Sequence, residues 1–275
     1  MKQTFYFFFL ILLSAPARSQ KHFFNNTLPD STTMANTRSL LNSLPADDYL
    51  KKEFVFEKDT LRYRLLVPEK TKKKTTYPLI ITLHNSSRIG NDNEKQLEPM
   101  ARLWLRKEIR DKYPAYVVAP QFVTRSSNYE TDSSRGILVS KPSTDVLLLP
   151  FLVKHLENEL GNIDFRRVYV VGYSMGGSTG QNLLSVLPGM FAAMVSIAAV
   201  PDFSNLSGLN NKPVWLIHGQ KDDENPYAGS VELFKEMKKN RKAVITTYTE
   251  LDHNMITVPL LLSDEIPKWL FKQHK

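Results

Sequence analysis

Cysteine is absent from the 275-residue chain, which excludes a disulfide framework, a thiolate nucleophile, a cysteine-ligated metal and a cysteine-linked lipid. Stability has to come from a large packed core. Any reaction has to run on hydroxyl, carboxylate and imidazole groups. Histidine is scarce as well, with six residues, so a histidine-dependent site has few candidates. There is no Gly-rich phosphate loop, no internal repeat and no low-complexity tract. The excess of positive charge is small, at a formal +8. Its densest runs, Lys70-Thr71-Lys72-Lys73-Lys74 and Lys238-Lys239-Asn240-Arg241-Lys242, hold no aromatic residues on which bases could stack, so they read as solvated surface and no nucleic-acid partner is expected. No apolar run reaches the roughly 20 residues that span a bilayer.

What is present is ordinary globular material, 42% hydrophobic and 23% charged, enough to bury one α/β core. The N-terminus has its own pattern. Met1-Lys2-Gln3-Thr4 leads into the apolar run Phe5 to Leu13, and then into the small-residue stretch Ser14-Ala15-Pro16-Ala17-Arg18-Ser19. That is a signal-peptide layout, with cleavage expected after Ser19 and an uncleaved anchor as the alternative. The reading is an exported protein, secreted or periplasmic, with no stable membrane anchor after cleavage. Removing residues 1–19 takes away Lys2 and Arg18 and no acid, leaving +6 by the same count. Residues 20–47 lack sustained periodicity and read as an irregular N-terminal segment without chemistry. Residues 48–275 read as a single catalytic domain.

Within that domain, Phe54-Val55-Phe56 and Leu61, Tyr63, Leu65 and Val67 flank Lys58-Asp59-Thr60 as a β-hairpin. Strand-like runs follow at Leu79–Leu83, Ala115–Ala119, Arg167–Val171, Met194–Ala198, Val214–Ile217 and Val244–Tyr248. Between them lie helical faces: Leu97, Met100, Ala101, Trp104 and Leu105; Leu148, Leu152, Leu156 and Leu160, ended by Gly161; and a stretch from Val231 to Lys239. Leu262, Ile266, Trp269 and Leu270 close the chain on a last helix. Such alternation predicts an α/β fold, a mainly parallel central sheet with helices on both faces, and a ligand site at the strand C-termini.

The chemistry concentrates in Gly172-Tyr173-Ser174-Met175-Gly176, a G-x-S-x-G turn between a strand and a helix. Such a turn strains the serine and presents its hydroxyl. The N–H of Met175 then sits at a helix N-terminus, where partial positive charge can stabilise an oxyanion. A serine hydroxyl is a weak nucleophile near neutrality and needs a histidine base with an acid to orient it. With an elbow of this kind, acid and then histidine follow the serine in the chain. Of His218, His253 and His274, His274 is terminal and His218 ends a strand, where it reads as a packed, hydrogen-bonded turn residue. His253, on a short loop between the last strand and the last helix, is the base expected. Asp222, Asp223 and Glu224 compete for the role of acid.

From Lys52 to Phe271 the chain resembles the α/β-hydrolase superfamily. More narrowly it resembles secreted bacterial esterases of feruloyl and acetyl-xylan type, which are related to prolyl oligopeptidase-like catalytic domains. The resemblance rests on Tyr77-Pro78-Leu79-Ile80 leading to Leu83-His84, on Gly90-Asn91-Asp92-Asn93 and Ala119-Pro120-Gln121, on the serine elbow, on Pro213-Val214-Trp215 into His218-Gly219, and on the His253 loop. It implies that the acid is the aspartate four residues after that His-Gly histidine, Asp222, which leaves Asp223 and Glu224 on a solvated loop. One departure is visible: His84 is followed by Asn85-Ser86-Ser87 where such proteins have glycine and small residues. Asn tolerates a left-handed backbone, so Asn85 is expected to keep that turn, with the N–H of Asn85 or Ser86 joining Met175 in the oxyanion hole. His84 is read as bracing this loop.

The expected activity is hydrolysis of a carboxylic ester, on a small molecule or linked to carbohydrate, through an acyl-enzyme on Ser174, with no metal or organic cofactor. A prolyl oligopeptidase-like serine peptidase is the alternative, and a non-catalytic hydrolase-fold binding module is a third reading. Substrate selection is placed in residues 122–145 and 225–229. There Arg125, Tyr129 and Arg135 are candidate contacts, ordinary loop positions being the simpler reading.

Overall fold

The structure, a computed structural model, describes residues 20–275, so the expected signal peptide over residues 1–19 lies outside the described residues. Among the described residues eleven strands form, β1 (Lys21–Asn25), β2 (Leu50–Phe56), β3 (Asp59–Leu66), β4 (Tyr77–Leu83), β5 (Tyr116–Gln121), β6 (Ser127–Asp132), β7 (Ile137–Pro142), β8 (Ile163–Tyr173), β9 (Ala193–Ile197), β10 (Val214–Gly219) and β11 (Val244–Tyr248). The α-helices are α1 (Ser31–Ser43), α2 (Pro99–Arg102), α3 (Lys107–Lys112), α4 (Leu149–Leu160), α5 (Met175–Val186), α6 (Leu206–Leu209), α7 (Tyr227–Glu236), α8 (Val258–Leu261) and α9 (Glu265–Leu270).

Nine strands make one sheet in the order β1-β11-β10-β9-β8-β4-β5-β3-β2. All its pairs are parallel except β3 with β5 and β2 with β3. This is an α/β-hydrolase fold. The sheet separates two cores by the two-residue period of a strand: Leu79, Ile81, Leu83, Val168 and Val170 pack on the α4, α5 and α7 face, while Ile80, Tyr169, Val171 and Tyr173 pack on the opposite one. Among the described residues no helix is long and apolar enough to cross a membrane.

The expected strands all form, and Gly161 ends α4 in the left-handed region at φ 65°. Three expectations need correction. Residues 20–47 are not irregular: β1 adds a parallel edge strand to β11, and α1 is capped by the Asp30 side chain and buries Leu41. Their weak periodicity follows from half-burial, since only Thr37 and Leu41 of α1 are buried. The single helical face over 97–105 is broken into α2 and a 3-10 turn at Leu103–Leu105, with α3 following separately. Residues 127–142, read as loop, form the antiparallel hairpin β6–β7. Its strands carry few large apolar residues because it is anchored to α5 by polar contacts, Ser127 Oγ to Asn182 at 2.7 Å and Ser126 to Thr179 at 2.7 Å.

Candidate active site

The end of β8 and the start of α5 place Ser174 at the centre of the sheet. The crossing is tight enough that glycine is required on both sides: a Cβ on Gly172 would lie 2.2 Å from the Gly176 carbonyl oxygen, and one on Gly176 would lie 2.0 Å from that of Leu83. Ser174 itself is held at φ 57°, ψ −124°, a strained conformation that persists because its neighbours over-determine it. Its N–H is tied to Ile197 O at 2.8 Å, and every residue of α5 from Met175 to Ser185 is buried. The hydroxyl is less open than the turn pattern suggested, with Ser174 only 8% exposed.

Two loops at strand C-termini bring the base and the acid to it. His253, after β11, has Nε2 2.9 Å from Ser174 Oγ and Nδ1 2.7 Å from Asp222 Oδ2. Asp222, after β10, has a side chain with no exposure. Burial opposes its ionisation, but hydrogen bonds from His218, His253 and the N–H of Asn225 outweigh that and hold it far below the usual carboxylate range. Oδ1 accepts the N–H groups of Glu224 at 3.0 Å and Asn225 at 2.8 Å. A serine, an imidazole and a fixed carboxylate in this order are what general-base activation of a nucleophile needs.

His218 does more than pack. Its Nε2 faces Asp222 Oδ2 at 3.1 Å and Asn225 O at 2.8 Å, two acceptors, so it carries the proton, while Nδ1 at 2.7 Å accepts from Ser230 Oγ. The acid is therefore gripped by two imidazoles. Tyr173 also supports the base: its hydroxyl donates to His253 O at 2.9 Å, and the ring centroids lie 5.1 Å apart. Asp223 is exposed. Glu224 is exposed too, yet one of its carboxylate oxygens reaches within 3.7 Å of His253 Nε2, at the mouth of the site and not on a remote solvated loop.

Asn85 departs from expectation. Its backbone is extended, φ −76° and ψ 173°, not left-handed. It caps the short 3-10 turn Ser86–Arg88: its Oδ1 accepts from Ser87 N at 2.9 Å and Ser87 Oγ at 2.7 Å, and its Nδ2 donates to Glu98 Oε2 at 2.7 Å. The close approach of Gly176 to Leu83 O and His84 O sets this turn against the first turn of α5. Met175, as the first helical residue, has an N–H with no intrahelical acceptor. His84 braces the loop as expected: Nδ1 donates to Asn85 O at 2.8 Å, and Nε2 accepts from Phe122 N at 3.1 Å. Burial, partly opposed by the bond to Asn85, pulls its pKa down to about 4, so it stays neutral.

Of the hairpin candidates, Arg125 stacks over Tyr129 at 4.8 Å, and the Tyr129 hydroxyl lies 3.1 Å from Ser178 Oγ, one turn beyond Ser174. Arg135 is occupied by Asp132 and the Phe203 ring. An apolar cavity of about 270 Å³ between the hairpin and residues 226–229 includes Ile137, Leu138 and Pro226, within the two stretches expected to select substrate. Sequence reasoning missed Glu98 and Arg38, which face a second cavity beside Tyr173 and Asn254; nothing in their local sequence marks them. Among the described residues no group of three His, Asp or Glu side chains is arranged to hold a metal ion.

No family model matches the chain. A bifunctional acetylxylan esterase/xylanase, XynS20E of Neocallimastix patriciarum, is 24% identical over 146 residues, 53% of this chain and 19% of that protein. The structure of a thermostable esterase is 27% identical with a TM-score of 0.75, over 84% of this chain and 64% of that one. Pyrococcus horikoshii acylaminoacyl peptidase matches at 14% identity and a TM-score of 0.59, over 82% of this chain and 42% of the peptidase. That last likeness is one of fold alone. The chain thus spans about a fifth of the curated relative and under two thirds of the esterase chain.

Proposed function

We propose that this protein hydrolyses carboxylic esters through an acyl-enzyme on Ser174. His253 takes the hydroxyl proton as Oγ attacks the ester carbonyl and returns it to the leaving alcohol. Water, deprotonated by the same imidazole, then releases the acid. Asp222 holds His253 in the Nδ1–H tautomer and stabilises the imidazolium. The N–H groups of Met175 and of Asn85 or Ser86 receive the oxyanion. The observation that carries this reading is the continuous hydrogen-bonded chain from Ser174 Oγ through His253 to Asp222, at 2.9 and 2.7 Å. It rests on a strained elbow, with Ser174 at φ 57° and ψ −124°.

The likeness to an esterase and to an acetylxylan esterase/xylanase favours an ester substrate, with a carbohydrate-linked ester the finer form of the proposal. The leader pattern over Met1–Ser19 favours action outside the cytoplasm. The test is labelling by a fluorophosphonate probe, combined with a hydrolysis screen over short acyl esters, acetylated and feruloylated sugars and aminoacyl amides. Labelling at Ser174 with ester turnover, both lost in Ser174→Ala, is expected. Turnover retained by folded Ser174→Ala protein overturns the nucleophile. Preference for the amides moves the activity to peptide hydrolysis.

A further inference from the structure

Beside the Ser174 site lies a cavity of about 290 Å³ that hydrolysis as such does not require. Tyr173 and Asn254, the neighbours in sequence of Ser174 and His253, form one wall. Asn85 and Glu98 form another, and α1 contributes Arg38. Its charge is unbalanced. Arg38 and Arg88 both line it, and neither is paired with a carboxylate among the described residues, although six other arginines are. Arg38 is held across the opening by donating to Asn254 O at 2.6 Å. Arg88 Nε is buried with no acceptor. The acids nearby do not neutralise this pair. Glu98 is buried with Oε1 unpartnered, and burial pushes its pKa up to about 8 against the pull of Arg88 and Asn85, which disfavours its negative charge. Glu224 lies beyond Asn254, bonded to that side-chain amide at 3.0 Å, and is exposed.

Two like charges facing one cavity, one of them with a buried donor left open, are a cost that an anion relieves. From this geometry we infer that the cavity is a subsite for a carboxylate carried by the substrate, bound by the guanidinium groups of Arg38 and Arg88. The inference rests on the esterase reading and narrows it to esters bearing a free acid, either on the alcohol, as in a uronic acid or hydroxy acid, or at the far end of the acyl chain, as in a monoester of a dicarboxylic acid. Tyr173 and Met100 offer the apolar surface along which the linking carbons lie.

The test compares matched pairs of esters that differ in one charge. For the alcohol side the pair is 3-acetoxybenzoate and its methyl ester; for the acyl side it is phenyl hydrogen adipate and phenyl methyl adipate. Charge-assisted hydrogen bonds to a guanidinium predict a kcat/KM for the charged member about 10- to 100-fold higher in one pair, carried by KM. That ratio falls as salt rises from low to molar concentration. It collapses toward one in Arg38→Gln, a change on an exposed helix that leaves the core intact, and in Arg88→Gln. The pair that responds identifies the side. A ratio below about 3 in both pairs overturns the inference while leaving ester hydrolysis standing. If no ester turns over, calorimetry on Ser174→Ala protein still decides it: tighter binding of the charged members supports the subsite, and equal binding removes it.

Discussion

Replacing Asp222 with Asn tests the site most sharply, because the structure says what the amide will meet. Every polar neighbour of the carboxylate is a donor: His253 Nδ1 and His218 Nε2 at Oδ2, and the N–H groups of Glu224 and Asn225 at Oδ1. An asparagine must point its NH2 at one of these pairs. Against the backbone pair it strips two fixed N–H groups of their acceptor, at about 1–3 kcal/mol each. Against the imidazoles the penalty is smaller, because the His253 ring can move its proton to Nε2, and His218 Nε2 keeps Asn225 O as an acceptor at 2.8 Å. The amide therefore turns toward His253, which then carries its proton on Nε2, facing Ser174 Oγ, and is no base. The expected loss is about 10³–10⁴ in kcat, the magnitude that a wrong tautomer produces in such triads, with a native circular dichroism spectrum. Asp223→Asn, at an exposed neighbour, should stay within about twofold, in line with surface substitutions generally. The assay is steady-state hydrolysis of an activated acetyl ester, normalised by fluorophosphonate titration of competent sites. A loss below tenfold at Asp222, or a larger one at Asp223, would refute both the assignment and the tautomer argument.

Gly176→Ala puts a Cβ 2.0 Å from Leu83 O; kcat should fall about 10²–10³ as the oxyanion turn is displaced from Met175, and a crystal structure showing an unmoved turn would contradict this. Asn85→Val and Asn85→Gly should lose similar activity and about 1–3 kcal/mol of stability, since each loses the side-chain bonds to Ser87 and Glu98 and the backbone is not left-handed. A far worse Val variant in parallel kinetics and melting would restore the left-handed reading. Glu98→Gln should change the pH dependence of stability. With a folded pKa raised from 4.5 to about 8, the native protein keeps a proton that the unfolded chain has already released, so wild-type stability declines as pH rises through that window. At about 1.4 kcal/mol per tenfold change in proton affinity the decline is at most about 5 kcal/mol. Melting curves at pH 5 and pH 8.5 should show the Gln variant gaining relative to wild type at the higher pH, and parallel curves would dismiss it.

The parts legible in sequence are those encoded locally. Strands β4, β5, β9 and β10 show in short apolar runs because they are buried on both faces, and a doubly buried strand has no polar side to disguise it, whereas β2 and β3 show by alternation about a turn. The serine elbow shows because close crossing of strand and helix admits only glycine at Gly172 and Gly176. Ser174, Asp222 and His253, named from chain order and a family resemblance, are brought into hydrogen-bond reach across 79 and 31 residues of sequence. That closeness is a property of parallel topology, which gathers strand C-termini at one edge. What only the tertiary structure decided is everything whose partner is distant and polar. Asn85 looked like a glycine substitute because its real role, a cap tied to Glu98, depends on a buried acid 13 positions away. The β6–β7 hairpin looked like loop because its anchors are hydroxyls and amides on α5, which carry no periodic apolar signal. Residues 20–47 looked irregular because β1 is an edge strand and α1 is mostly exposed. Yet α1 brings Arg38 to Asn254, one residue from His253. Apolar burial leaves a period in the sequence, whereas a hydrogen bond or an unpaired charge is set by where another part of the chain comes to lie.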